Sequence, residues 1–307
     1  MRIAIIGQQD FGKAVLNAFL ERGDEVAAVF CAPEKPGARP DALRLGAEGK
    51  GVAVHQFPSY TSAEARDALR ALKVDIGIMA YVLLFAPQDF VNIPKHGTIQ
   101  FHPSLLPLHR APSSINWPIM MGRQTTGLTI FRPTDGLDEG PVVLQKEVTI
   151  GADDTLGSVY FDRIFPAGVA ALIEAAELVL AGKAKEKIQD EGKATYEGWV
   201  REAASRLNWA QHIETTYNVI RGCNPAPGAW TTINGEKLQI FDARKIAAAT
   251  FGAVRGKKIG QVVEVGANSM TVHGAGGFIE VLRCKRGEGK KVAGNEAGIA
   301  VGTILGT

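Results

Sequence analysis

The chain has 307 residues, 46% hydrophobic and 21% charged, with a formal net charge of +2, proportions that fit a globular protein and exclude a disordered or fibrous one. No run approaches the ~20 apolar residues needed to cross a bilayer, and the opening apolar run 3–6 is far below the ~7–15 residues of a signal-peptide core, so the expectation is a cytoplasmic protein with no membrane partner. Cys31, Cys223 and Cys284 are too sparse for a disulfide framework, and neither they nor the histidines show ligand spacing, so no metal is expected.

Residues 1–7 form an apolar run closed by glycine. Phe11, Val15, Leu16 and Phe19 then repeat at helical spacing, and residues 25–30 read as another strand, completing a βαβ unit. Further buried strands are expected at 52–55, 74–80 and 97–101, with an apolar-periodic helix over 63–72 between the first two. This alternation predicts a mostly parallel sheet covered by helices, and right-handed crossovers make it a Rossmann-like open sheet. Strand-like stretches at 127–132 and 142–148 follow, separated by the turn-rich 133–141, and a helix is expected over 155–181. Residues 182–199 read as a polar connection, and 209–220 as a helix stopped by Gly222, Pro225 and Pro227. Short strands punctuated by glycine then dominate (229–233, 237–241, 260–265, 269–271 and 277–281), the signature of a small β-barrel or sandwich.

The fold class is therefore α/β: a Rossmann-like, mostly parallel open sheet followed by a smaller, OB-like β-barrel, with domains expected at 1–203 and 204–307. From Leu207 to Thr307 there are 12 Lys or Arg against 7 Asp or Glu, a mild basic excess that reads as a solvated surface before it reads as an anion-binding one.

The first glycine turn, Gly7-Gln8-Gln9-Asp10-Phe11-Gly12-Lys13-Ala14, fails two nucleotide-binding readings. A dinucleotide fingerprint needs a glycine where Gln9 stands, and a phosphate-cradling loop needs a hydroxyl where Ala14 stands. It is expected to be a plain strand-to-helix turn. The densest polar chemistry lies in Gln100-Phe101-His102-Pro103-Ser104-Leu105-Leu106-Pro107, just after a strand whose carboxyl end should open into the sheet's crevice. His102 is placed there for reaction, or else to cap the strand by bonding a loop carbonyl. In Asp135-Gly136-Leu137-Asp138-Glu139-Gly140, glycines let the backbone turn tightly and aim a carboxylate inward. The alternative is an exposed turn between strands.

Taken together with Arg2-Ile3-Ala4-Ile5-Ile6-Gly7-Gln8, Ser114-Ile115-Asn116-Trp117, Ala194-Thr195-Tyr196-Glu197-Gly198, Ile220-Arg221-Gly222 and Pro227-Gly228-Ala229-Trp230, these motifs closely resemble the folate-dependent formyltransferase family. Within it the chain is most similar to the hydrolase-domain branch of the 10-formyltetrahydrofolate dehydrogenases. The family's catalytic pattern is Asn-x-His followed at a distance by Asp in Gly-Leu-Asp-x-Gly. The resemblance implies catalytic roles for His102 and Asp138, while Gln100 stands where the family has asparagine, a departure shared with the dehydrogenase branch. Glutamine keeps the amide donor, one methylene longer.

The resemblance also implies a pterin slot along Tyr81, Val82, Leu83, Leu84, Phe85 and Ala86, with Ser104, Leu105, Leu106 and Pro107 flanking the other side and Asp135 and Gly136 also against folate. The implied reaction is deformylation of 10-formyltetrahydrofolate through a tetrahedral intermediate, by hydrolysis or by transfer to a carrier. Methionyl-tRNA formyltransferase is the alternative, followed by sugar N-formyltransferase and a non-catalytic folate-binding module. The implied partners are the folate substrate and either methionyl-tRNA or a separate acyl-carrier-like protein, since the chain ends at Thr307 without the dehydrogenase's further domains. Leu108 breaks the basic loop of the family's tRNA enzymes, although Arg110 remains.

Overall fold

A computed structural model describes residues 1–307. Its contacts define two compact units: Met1–Ala111 with Gly127–Val148 and Arg163–Tyr196, and Pro112–Thr126 with Thr149–Asp162 and Glu197–Thr307.

The sheet of the first unit comprises β1 (Arg2–Gly7), β2 (Glu25–Cys31), β3 (Ala53–Gln56), β4 (Ile76–Ala80), β5 (Thr98–His102), β6 (Thr125–Phe131) and β7 (Val142–Thr149), in the order β3-β2-β1-β4-β5-β6-β7. β1 to β5 run parallel and β6 is antiparallel to β5. The order reverses between β1 and β4, the switch point beyond whose carboxyl ends an α/β sheet opens a ligand crevice. β1 and β4 are apolar because helices cover both faces, and Ile3, Ile5, Ile6, Ile76 and Ile78 are fully buried. Gly7 is required where β1 leaves the sheet, because a Cβ there would overlap the carbonyl oxygen of Ala80.

β5 sends its alternate side chains to opposite faces. Phe101 packs on Phe11, ring centroids 4.4 Å apart, and Phe11 in turn meets Phe165 edge-on at 5.2 Å. Gln100 and His102 therefore project to the other face. Burying rings of this kind contributes ~1.5–3 kcal/mol each, which anchors the strand that carries the candidate histidine.

In the second unit β8 (Ala229–Ile233), β9 (Glu236–Ala247), β10 (Val262–Val265), β11 (Met270–Gly274), β12 (Gly277–Arg286) and β13 (Lys291–Ala293) form an antiparallel sheet ordered β10-β11-β12-β9-β8, with β13 on β12. The last residues bond to both edges. Val262 N donates to Thr303 O, Leu305 N to Gly260 O and Gly306 N to Thr232 O, each at 2.8 Å. They close the sheet around Leu238, Ile240, Val272, Ile279 and Val281, all fully buried.

Several elements depart from expectation. The helix expected over 155–181 is broken into Leu156–Val159, a π turn at Tyr160–Ile164, and Phe165–Leu180. Pro166 has no N–H for the preceding turn, and the ladder widens there. The helix expected from 209 begins at Ile213, because His212 caps it by accepting the Glu214 amide while the indole of Trp209 is drawn aside to donate to Thr231 Oγ1 at 3.0 Å. An unanticipated helix, Ala42–Gly49, is set by Asp41, whose Oδ1 accepts Leu43 N and whose Oδ2 accepts Gln9 N, both at 2.9 Å. No helix is long and apolar enough to cross a membrane.

Candidate active site

The candidate site lies in the first unit, at the carboxyl ends of β4 and β5. A cleft of about 280 Å³ is lined by Met79, residues 82–86, Gln100, Phe131 and residues 133–138. Val82, Leu84 and Ala86 pack into the core, whereas Leu83 and Phe85 stand exposed at the mouth. The backbone N–H and C=O groups of residues 82–86 engage in no hydrogen bond within the protein, so they are available to the edge of a flat polar ligand.

His102 and Asp138 meet beside this cleft, His102 Nδ1 lying 3.4 Å from Asp138 Oδ2 with both side chains under a tenth exposed. His102 Nε2 lies 2.8 Å from the carbonyl of His109. A carbonyl can only accept, so this nitrogen carries hydrogen and donates. Nδ1 of the neutral ring is then a bare acceptor facing a carboxylate oxygen, and the two attract only when a proton sits on one of them. Asp138 Oδ2 also accepts the Ala111 amide at 2.9 Å, a charge-assisted bond worth ~1.5–3 kcal/mol. Of the two readings of His102, the bond to a loop carbonyl is present; the ring also faces the Asp138 carboxylate.

Four side-chain-bearing residues around the site hold positive φ: Tyr81 at 60°, His109 at 55°, Ala111 at 74° and Asp138 at 57°. Such conformations cost ~1–3 kcal/mol each and persist where surrounding structure over-determines them.

Of the residues singled out in the sequence, Val82, Leu83, Leu84, Phe85, Ala86, Gln100, Asp135, Gly136 and Asp138 line the cleft. His102 lies against Asp138. Tyr81 is half exposed outside the lining, and Asp135 Oδ1 accepts Gln88 N at 2.9 Å. Ser104, Leu105, Leu106 and Pro107 do not line it. Ser104 Oγ donates to Leu108 O at 2.6 Å and Leu106 N to Thr129 Oγ1 at 3.1 Å, so these residues secure the loop after β5. The sequence patterns did not reveal Ala111, which acts through its backbone amide on Asp138 Oδ2, or Gln189, whose Nε2 donates to Asp138 O at 2.8 Å from a remote position in the chain. In the second unit the other motifs act as fasteners. Asn116 Nδ2 donates to Gly222 O and Trp117 Nε1 to Gly198 O, both at 2.8 Å. No group of three or more His, Cys, Asp or Glu side chains is arranged to hold a metal ion.

A switch-point cleft edged by a paired imidazole and carboxylate places the first unit among α/β proteins that hold a small ligand beyond their strand ends. Residues 1–176 match the family described as Formyl transferase, and residues 200–298 the Formyl transferase C-terminal domain. The chain belongs to this folate-dependent formyltransferase family. It is 40% identical to the cytosolic 10-formyltetrahydrofolate dehydrogenase of Mus musculus over 248 residues, 79% of this chain but 27% of the relative. It is 34% identical to the methionyl-tRNA formyltransferase of Bacillus velezensis over 274 residues, 86% of each chain. HypX from Aquifex aeolicus, solved in complex with tetrahydrofolic acid, shares the fold with a TM-score of 0.69 at 18% identity, over 95% of this chain and 46% of that one. The chain spans about a quarter of the length of the dehydrogenases it matches.

Proposed function

We propose that the protein removes the formyl group of 10-formyltetrahydrofolate, with water as the acceptor. The observation that carries this reading is the buried His102–Asp138 pair, 3.4 Å apart beside the cleft. The pterin edge would bond the unpaired backbone of residues 82–86, and Leu83 and Phe85 would cover the more apolar part of the donor.

Attack on the formyl carbon builds a tetrahedral oxyanion, which must be stabilised before N10 departs. Because Nε2–H is anchored on His109 O, Nδ1 is the nitrogen that exchanges a proton. Asp138 takes a proton as water attacks, and the proton shared between Oδ2 and Nδ1 is then delivered to the oxyanion or the leaving nitrogen. General acid–base help of this kind supplies ~10²–10⁴-fold in rate. Gln100 offers an amide donor at the cleft wall, and a hydrogen bond from it to the formyl oxygen would add to that stabilisation.

Transfer to methionyl-tRNA is the second reading, favoured by the end-to-end match to the Bacillus velezensis enzyme. Against it, Arg110 faces inward: its side chain is fully buried and bonded to Gln189, Glu191 and Tyr196, so it offers no charge to a phosphate backbone. The two readings separate in one assay, the ultraviolet absorbance of 10-formyltetrahydrofolate with purified protein alone and then with methionyl-tRNA. Formate release without an acceptor supports hydrolysis. Loss only on adding methionyl-tRNA supports transfer, and no loss in either case contradicts both.

A further inference from the structure

Asp138 must keep a left-handed backbone, φ 57°, which aspartate tolerates better than most residues but which needs support. The support comes from 51 residues away in sequence. Gln189 Nε2 donates to Asp138 O at 2.8 Å and to Gly140 O at 2.7 Å. Its Oε1 accepts Arg110 Nε at 3.2 Å and Nη2 at 2.9 Å. Both amide hydrogens therefore go to the loop and the oxygen goes to the guanidinium, which fixes the orientation of the carboxamide.

Arg110 is itself held fast. It bonds both carboxylate oxygens of Glu191, at 2.6 and 2.9 Å, and the Tyr196 hydroxyl. Its own amide donates to Thr195 O at 3.0 Å. The hydrogen bond that Arg110 donates to Glu191 raises the guanidinium pKa, so Arg110 stays charged. The next residue, Ala111, supplies the amide on Asp138 Oδ2 at 2.9 Å. Residues 110 and 111 thus grip the aspartate at both ends, its carbonyl through Gln189 and its carboxylate directly.

We propose that Gln189, braced by Arg110, is a positioning residue that sets the aim of the Asp138 carboxylate toward His102. This rests on the reading of Asp138 as the proton-handling carboxylate. Neither residue reaches the cleft lining, so each acts through Asp138.

The test is steady-state deformylation of 10-formyltetrahydrofolate by Gln189→Glu, which keeps the size and the oxygen for Arg110 but replaces both amide hydrogens with a carboxylate oxygen that repels the two carbonyls. A misplacement of about 1 Å costs ~10²-fold in rate, so kcat should fall by about that factor while KM for the folate moves less than about threefold. The thermal midpoint should stay within a few degrees. Should Gln189→Glu fail to fold, Gln189→Met, uncharged and without donors, reads the same quantity. Arg110→Lys, which keeps one charged donor for Gln189 Oε1, should retain more of kcat than Arg110→Met. Unchanged kcat in a folded Gln189 variant overturns the proposal, as does a joint collapse of kcat, KM and thermal midpoint that Arg110→Lys does not relieve. Asp138→Asn separates the two claims. If it keeps full turnover, the reading of Asp138 fails; if it is inactive while Gln189→Glu is normal, only the positioning role fails.

Discussion

His102 sits between a carbonyl and a carboxylate: its Nε2 donates to His109 O at 2.8 Å, and its Nδ1 lies 3.4 Å from Asp138 Oδ2. Burial acts differently on the thiols, where it disfavours the charged form. It pushes Cys31 and Cys223 up to about 12 and Cys284 up to about 11. All three thiols are therefore protonated and inert near neutrality. A thiol-disulfide reagent at pH 8 should label none of them in the native protein within minutes and all three after denaturation; rapid native labelling would contradict this. An unfolded thiol ionises near 9.0, the ordinary value. Unfolding thus releases protons above that pH, and the thiols' contribution to stability is complete below about 9 and is lost as pH rises toward 11–12.

At the scale of elements, the sites of closest approach decide what the sequence can vary. Gly7 leaves β1 against the Ala80 carbonyl at the switch point, and Gly140 passes the Arg132 carbonyl in the loop that carries Asp138; a Cβ at either would overlap backbone oxygen. Gly7→Ala should lower unfolding free energy by ~1–3 kcal/mol, the usual cost of overpacking, read from the chemical denaturation midpoint. An unchanged midpoint would mean that the strands part more easily than described.

These elements also mark how far the sequence can be read. Helix 63–72 was legible to the residue because its apolar positions repeat at helical spacing over that stretch. The break before Pro166 and the late start at Ile213 were not, since a longer apolar periodicity masked the missing N–H and the His212 cap. His102 and Asp138 were visible as motifs, but Gln189 was not, because nothing local to it signals a bond to a loop 51 residues away.

For the molecule as a whole, short segments contribute where chain order does not suggest: residues 112–126 and 149–162 belong to the same compact unit as the C-terminal sheet. That unit is closed by its own last residues. Family membership fits this build, with the Formyl transferase match over residues 1–176 and its C-terminal domain over residues 200–298. The central claim is that one imidazole and one carboxylate carry out the deformylation. It is tested most directly by turnover of 10-formyltetrahydrofolate in His102→Ala and Asp138→Ala, with tetrahydrofolate affinity measured separately by calorimetry. The account predicts a fall of ~10²–10⁴-fold in turnover for each with folate affinity nearly intact. Wild-type turnover in either variant would contradict it.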